Sequence, residues 1–578
     1  MSLSSKAQDQ LNSQFTSIDE IPKIHQELRK AFSNRITKTL EWRTHQLKQL
    51  GFLLQDNEQL IEEALAIDLG KPKTESHIGE LVGTRHEVLY ALNNVKSWME
   101  PQSVKTDLAW LVTKPKTFHE PKGVVLIFGT WNYPISLSII PLVGAIAGGN
   151  AVVLKLSEQA PAIANLLTKL IPQYLDNNHI RVVNGAADHC NALLDLKFDH
   201  IFFTGSTQVG RTVAKRAAEH MTPVTLELGG KSPAIVFDDA DFPVIARRLI
   251  WGKGMNAGQT CVAPDYILVS KKSEAKLITS LKKAMQELYP LDSASGLSAK
   301  KIINASGKSG DGPDDLQYSK IVNQNQFNRL NNVLQETKGE FIPTDDTFQA
   351  GTKDSSDAQE LKMPLTLVRN LTMEDPVMQN EIFGPIFPIL TYDLQSESMA
   401  EILRPIADAE PLALYVFTQS SQNFELVRQH TKSGQIMCND LLIQFAIPGL
   451  PFGGIGQSGS GNYHGYYSFL TFTYERSSAN LPTWADFLFN ARYPPYTPFK
   501  LKLFSAIMGP ARIKGKSNPG LVPKSAEVGK RSWLPTLTPL SFSTLLLAGY
   551  YALSRRYGSD YLKIWMTRFI GAIKQSNR

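Results

Sequence analysis

Three observations in the sequence predict an α/β fold built on parallel sheets. From residue 121 onward, short β-branched runs recur between helical stretches, and most of them, such as "GVVLIFG" (123–129) and "AIVF" (234–237), are continuously apolar rather than alternating. That continuity marks strands covered on both faces. The second observation is "FTGSTQVG" (203–210), a strand running through a glycine turn into a helix. The third is length: at roughly 150 residues per domain, 578 residues exceed one core and imply two to four domains.

In chain order, a polar start (1–19) precedes Ile24, Leu28, Phe32, Ile36 and Leu40, whose spacing of four predicts a single amphipathic helix. The expected strands are 123–129, 150–156, 180–183, 200–206, 224–228, 234–237 and 266–270. Residues 306–315 and 343–359 are rich in Gly, Ser and Asp and read as surface loops or insertions. A last strand-like segment, "QIMCN" (435–439), leads into the glycine-dense "PGLPFGGIGQSGSGNYHG" (448–465). Past residue 480 the chain turns rich in Pro and aromatic residues, and it contains no internal repeat.

Hydrophobic content of 42% with 20% charged residues is ordinary for a folded, mainly soluble protein. Three cysteines, at 190, 261 and 438, are too few and scattered for a disulfide framework or a Cys-based metal cluster, so a reducing compartment and no metal site are expected. The net charge of +6 hides a split: residues 500–578 carry 14 Lys/Arg and two acids, a balance of +12, while the rest carries −6. Within that basic tail, residues 532–554 hold no formal charge and are bracketed by Lys530, Arg531, Arg555 and Arg556. The length suits a bilayer core of about 20 residues, and basic residues before it put the body on the cytosolic side. Pro535 and Pro539 keep a buried hairpin or an interfacial segment open as alternatives. The N-terminus has no apolar stretch, so no signal peptide is expected.

Four segments carry candidate chemistry. Cys261, in "GMNAGQTCVAP" (254–264), stands among glycines and small polar residues with no bulky neighbour in sequence, which suits an accessible nucleophile. Cys190 and Cys438, by contrast, read as small core residues. Glu227 ends an apolar strand, where a carboxylate is costly unless it has a task; it is the candidate base, and a strand-end pair with Lys231 is the plainer alternative. Asn132, in "GTWNYPI" (129–135), follows a buried strand and precedes a stiffened turn, so its amide and the Cys261 N–H could form an oxyanion hole. "FTGSTQVG" offers a helix N-terminus for a phosphate, although it is not G-x-G-x-x-G.

These segments, together with "VVLKLSE", "EIFGP", "CNDLLIQFAIPGLPFGGIGQSG" and "GNYHGYYSFLTFTYER", resemble the aldehyde dehydrogenase superfamily, in its class 3 or fatty aldehyde branch, over most of residues 20–480. The resemblance implies a Rossmann-type cofactor domain (20–103 and 125–226), an α/β catalytic domain (227–439) and a bridging β arm (104–124 and 440–478). A basic linker (479–531), a membrane-anchor helix (532–554) and a basic tail (555–578) follow. It implies Cys261 as nucleophile, Glu227 as base and Asn132 as oxyanion donor. Lys155 and Glu158 would meet the adenosine ribose, and Gly205, Ser206 and Gly210 would approach the cofactor. Glu381 would hold the nicotinamide ribose, with Phe383 against the ring. The cofactor is then NAD, with NADP as the alternative, and the chain a homodimer without nucleic-acid partners. The implied substrate is a long-chain fatty aldehyde, with apocarotenoid or aromatic aldehydes as the runner-up. The endoplasmic reticulum, mitochondrial outer membrane or peroxisome would carry it. Two departures stand out: Leu156 where relatives often have Pro, and Gln444 where membrane-bound relatives tend to have His. The first leaves the NAD or NADP preference open, the second the substrate entrance.

Overall fold

The computed structural model describes residues 15–289, 318–343 and 361–508. Residues 306–315, 344–359 and the uncharged segment 532–554 lie outside the described residues. The chain forms two compact units, residues 1–100 with 118–476 and residues 101–117 with 477–578.

The strands are β1 (Gln102–Ser103), β2 (Lys116–Pro121), β3 (Val124–Phe128), β4 (Ala151–Leu156), β5 (Ile180–Asn184), β6 (His200–Thr204), β7 (Val224–Glu227) and β8 (Pro233–Val236). They continue with β9 (Tyr266–Ser270), β10 (Glu340–Ile342), β11 (Thr366–Arg369), β12 (Ile386–Tyr392), β13 (Ala413–Phe417), β14 (Gln435–Cys438), β15 (Gly459–Ser460) and β16 (Thr473–Ser478). All seven runs expected between 123 and 270 form strands. The larger unit contains two sheets. One has the order β15-β7-β6-β3-β4-β5, the other β10-β11-β12-β9-β8-β13-β14. β3 to β7 pair in parallel, as do the strands from β11 to β14 in the second sheet; β15 and β10 are antiparallel edges. Apolar residues of both sheets, among them Ile127, Leu154, Ile267 and Tyr415, belong to one continuous buried cluster.

The amphipathic run from Ile24 to Leu40 is not one helix. The first helix is Ile21–Ser33, and Arg35 then takes a left-handed backbone (φ +62°) before the next helix, Leu40–Asp56, begins under a Thr39 cap. Ile24 and Leu28 are buried, whereas Ile36 is exposed. The period of four simply continued by coincidence across a turn.

In the first sheet the chain runs outward from β3 to β5, then returns to lay β6 on the other side of β3. The carboxyl ends of β3 and β6 therefore flank a topological switch point, where open α/β sheets bind ligands. β7 ends at Glu227, and after a link of five residues (228–232) β8 opens the second sheet. The carboxyl edge of the first sheet is thus joined directly to the amino edge of the second.

In the smaller unit, β1 pairs antiparallel with the start of β2, and the Asn480 N–H donates to the Thr113 carbonyl at 2.8 Å. The helix Pro498–Met508 leaves Phe499 and Leu501 exposed. Among the described residues, no helix is long and apolar enough to cross a membrane.

Candidate active site

The loop after β3 carries Asn132, and it is pinned from below by a pair that sequence reading missed. Lys71 and Glu80 form an ion pair at 2.8 Å with no exposure on either side chain. The Lys71 ammonium also donates to the Asn132 carbonyl at 3.0 Å and lies 4.1 Å from the centre of the Tyr133 ring. Glu80 accepts the backbone N–H groups of Ile135 and Ser136 at 3.1 and 2.9 Å. Beyond their bond to each other, Lys71 and the second Glu80 oxygen are thus spent on residues 132–136. Side chains over 50 positions away in sequence give no local signal of this.

The Asn132 side chain donates one N–H to the Gln259 carbonyl at 3.0 Å, two residues before Cys261. An amide nitrogen carries two hydrogens, so a second N–H stays available to an oxyanion. Tyr133 bonds the Thr260 hydroxyl at 2.9 Å. On the other side of the nucleophile, the Tyr415 hydroxyl donates to the Val262 carbonyl at 2.5 Å. The turn around Cys261 is therefore held at 259, 260 and 262, and the thiol itself rests on the backbone N–H groups of Cys261 and Val262.

Cys261 is not the uncovered residue that its small neighbours suggest. It is half-buried and packs against the main apolar cluster. Desolvation, reinforced by the Glu381 and Glu227 carboxyls, pushes its thiol up to about 12. Nor do the neighbouring glycines clear space for a ligand. A Cβ at Gly254 would lie 2.4 Å from the Tyr289 ring, and one at Gly258 (φ +72°) 2.4 Å from the Gly384 carbonyl. Asn256 and Ala257 also hold left-handed backbones, at φ +52° and +51°. The glycines make room for protein, and the tight turn presents the cysteine.

Glu227 is 3% exposed and neither carboxyl oxygen has a hydrogen-bond partner. Burial alone raises its pKa well above the ordinary carboxylate range. The pairing with Lys231 does not form: Lys231 bonds Asp265 instead, and also donates to the Asn380 carbonyl at 3.0 Å. Such an unpaired buried carboxyl is a costly arrangement that catalytic sites tolerate.

Around this core stand the remaining expected residues. Gly205 follows β6, and Ser206 caps the helix Thr207–Glu219, whose exposed first turn offers free N–H groups. Gly210 is buried beneath Leu228, so it serves helix packing. Lys155, near the end of β4, bonds Glu158 at 2.7 Å on the same sheet edge. Glu381 reaches the Gly229–Gly230 turn: a Cβ at Gly229 would lie 2.0 Å from its carboxyl oxygen, and the Gly230 N–H donates to it. Burial and the nearby Asp265 raise Glu381 to about 8. Phe383 (φ +49°) meets Trp131 edge to face at 5.4 Å. A cradle of glycine backbone, free helix N–H groups, a lysine and two carboxyls, Glu158 and Glu381, has the donors and acceptors a dinucleotide needs.

Two further features escaped sequence reading. Asp265 accepts the Ile382 N–H at 3.1 Å and lies 3.8 Å from Lys253, a fully buried amine without a hydrogen-bond partner whose pKa burial lowers to about 8. Potential ligand atoms of Glu58, Glu62 and His77 converge within 4.8 Å, against the expectation of no metal-type cluster, although Arg85 already bonds Glu58 at 2.6 Å. The other cysteines also differ from expectation: Cys438 is exposed and Cys190 half-buried, because β14 is a sheet edge and the Cys190 helix lies at the surface.

The family model described as "Aldehyde dehydrogenase family" matches residues 11–477. The chain belongs to the aldehyde dehydrogenase family. It is 41% identical over 483 residues to aldehyde dehydrogenase family 3 member H1 of Arabidopsis thaliana, covering 83% of this chain and 93% of that one. The solved structure of Staphylococcus aureus AldH in a substrate-bound state matches with a TM-score of 0.76 at 37% identity, over 85% of this chain and 99% of that one. A Mycobacterium tuberculosis aldehyde dehydrogenase complexed with NAD+ shares the fold, with a TM-score of 0.69 at 24% identity over 81% and 91% of the two chains. The protein is an aldehyde dehydrogenase, and its superfamily uses NAD or NADP.

In the cofactor-free aldehyde dehydrogenase, alkylation of Cys261 by iodoacetamide is expected to keep accelerating up to about pH 10, because only the thiolate reacts. A rate that levels off near neutrality would contradict the raised thiol.

Proposed function

We propose that this aldehyde dehydrogenase oxidises hydrophobic, long-chain fatty aldehydes to their acids. The thiolate of Cys261 adds to the aldehyde carbon, and the spare Asn132 N–H with the Cys261 N–H holds the alkoxide. Bound nicotinamide supplies the hydride acceptor. Loss of hydride turns the thiohemiacetal into a thioester, and Glu227 removes a proton from the water that releases the acid. Lys155, Glu158, Gly205, Ser206, Glu381 and Phe383 hold the dinucleotide, with Gly210 seating their helix.

The observation that carries the substrate class is an apolar track. Tyr463, close enough to Cys261 and Glu227 to feel their charges, packs on Phe452 at 5.6 Å, and Phe452 on Phe445 at 5.2 Å. Phe445 borders a small cavity whose lining is apolar at Tyr90 and Ile140 and polar at His86, Glu87 and His464, and on the same segment Ile443, Ile447 and Leu450 are exposed. Each methylene laid on such a surface contributes about 0.8 kcal/mol. Anchoring by residues 532–554, with the body on the cytosolic side, would give access to aldehydes dissolved in the bilayer; the exposed Phe499 and Leu501 beside Lys500 and Lys502 favour the same surface. The chain acts as a homodimer on the endoplasmic reticulum, mitochondrial outer membrane or peroxisome.

Purified enzyme offered saturated aldehydes of increasing length is expected to show kcat/KM rising with each methylene. A preference for short, soluble aldehydes would sink the reading, and a preference for aromatic or apocarotenoid aldehydes would redirect it. The Glu158 carboxylate beside Lys155 disfavours a ribose phosphate, so NAD is the preferred cofactor. Glu158→Gln is expected to lower the KM for NADP by about tenfold while changing that for NAD little, as read from initial rates.

A further inference from the structure

The Gln444 side chain sits on a short turn, Ile443–Ala446, whose entry residue Leu442 holds a left-handed backbone at φ +63°. This strained entry aims the amide inward, and its nitrogen donates to the Tyr415 hydroxyl at 3.0 Å. Tyr415 is wholly buried at the middle of β13 and donates its own proton to the Val262 carbonyl at 2.5 Å, directly after Cys261. A phenol has one proton. Because an amide N–H can only donate, Gln444, with the Leu442 N–H beside it, occupies the phenol oxygen as an acceptor and commits that proton to Val262. The Gln444 oxygen, meanwhile, is buried without a partner, a cost the turn bears to keep the nitrogen on Tyr415.

We propose that Gln444 is a positioning residue for the nucleophile: through the directed chain Gln444 to Tyr415 to Val262 it sets the turn that presents Cys261, and it ties that turn to the apolar rim formed by Ile443 and Ile447. The chain rests on the assignment of Cys261 as nucleophile, and it is independent of which aldehyde arrives. Its specific signature is direction. A carboxylate at 444 would accept the Tyr415 proton and withdraw it from Val262, whereas a hydrocarbon there would leave the phenol oxygen to the Leu442 N–H alone and its proton on Val262.

The test uses the full chain as Gln444→Glu, Gln444→Leu, Tyr415→Phe and the double variant Gln444→Glu/Tyr415→Phe. Two readouts are taken: kcat and KM with a hydrophobic aldehyde, and the rate of Cys261 alkylation by iodoacetamide without cofactor or aldehyde. Gln444→Glu is expected to cut kcat by about tenfold with the cofactor KM unchanged, to change the alkylation rate by a similar factor, and to exceed the effect of Gln444→Leu. In the double variant the penalty of Gln444→Glu is expected to vanish relative to Tyr415→Phe alone. Additive penalties, or wild-type alkylation and kcat in Gln444→Glu, would overturn the proposal. Should Tyr415→Phe fail to fold, the contrast between Glu and Leu at this half-buried position still decides it: equal behaviour overturns the chain. If alkylation follows the expected order while no hydrophobic aldehyde is turned over, the chain stands and the substrate reading falls.

Discussion

Glu227→Gln is expected to acylate normally and then stall, so that one equivalent of reduced cofactor appears in a burst and the thioester of Cys261 accumulates. The steady rate should fall by about 100- to 10,000-fold, the usual worth of a general base. Mass spectrometry of the quenched enzyme would show the acyl adduct, and wild-type turnover in this variant would remove Glu227 from the reaction. The same substitution has a second readout in stability. Glu227 has no donor for either oxygen, and burial raises its pKa. Below the ordinary carboxylate range both folded and unfolded chains are protonated there, and the carboxyl behaves much like an amide. Above it the unfolded chain ionises first, so the wild type loses about 1.4 kcal/mol per pH unit until the folded group ionises too. The stability advantage of Glu227→Gln over wild type should therefore widen as pH rises from about 5, in urea unfolding at constant ionic strength. An advantage independent of pH would mean that Glu227 is charged in the folded protein.

The second large effect is expected at Lys71. Removing one member of a buried pair strands the other, and Lys71→Met should cost about 3–5 kcal/mol. Unlike a generic core lesion, it should also damage catalysis in the molecules that remain folded, since the Asn132 carbonyl loses its donor and the Tyr133 ring its cation. Adding Glu80→Gln removes the stranded charge and keeps an acceptor for the Ile135 and Ser136 N–H groups. The double variant should recover much of the stability while kcat stays low. Recovery of kcat together with stability would show that the pair only supports the fold.

The sequence was most legible where local chemistry and burial coincide. Strands such as Val124–Phe128 and the 266–269 part of β9 are apolar without a break because they are buried along their whole length, so composition alone revealed them. Cys261 and Glu227 were visible as residue types out of keeping with their surroundings, whereas Asn132, a common residue before a turn, stood out only together with them. What stayed hidden is tertiary. Lys71 and Glu80 carry no local mark in the sequence, and only the folded chain shows both to be sealed under the Asn132 loop. The glycines near Cys261 were visible, but their partners, Tyr289 and Gly384, come from distant segments. Arg35 failed for the opposite reason: the hydrophobic period survived a break in the helix that carried it.

The left-handed residues Asn256 and Ala257 carry a consequence for how this enzyme would respond to selection. A non-glycine residue in that conformation costs roughly 1–2 kcal/mol. Ala257→Gly would recover part of that, and so sits among the easiest routes to a more heat-resistant protein. The same turn presents Cys261, and a relaxed turn would present it less often in a reactive pose. Variants selected by heat alone should therefore drift toward a sturdier and slower enzyme, with their substitutions gathering within a few residues of the nucleophile.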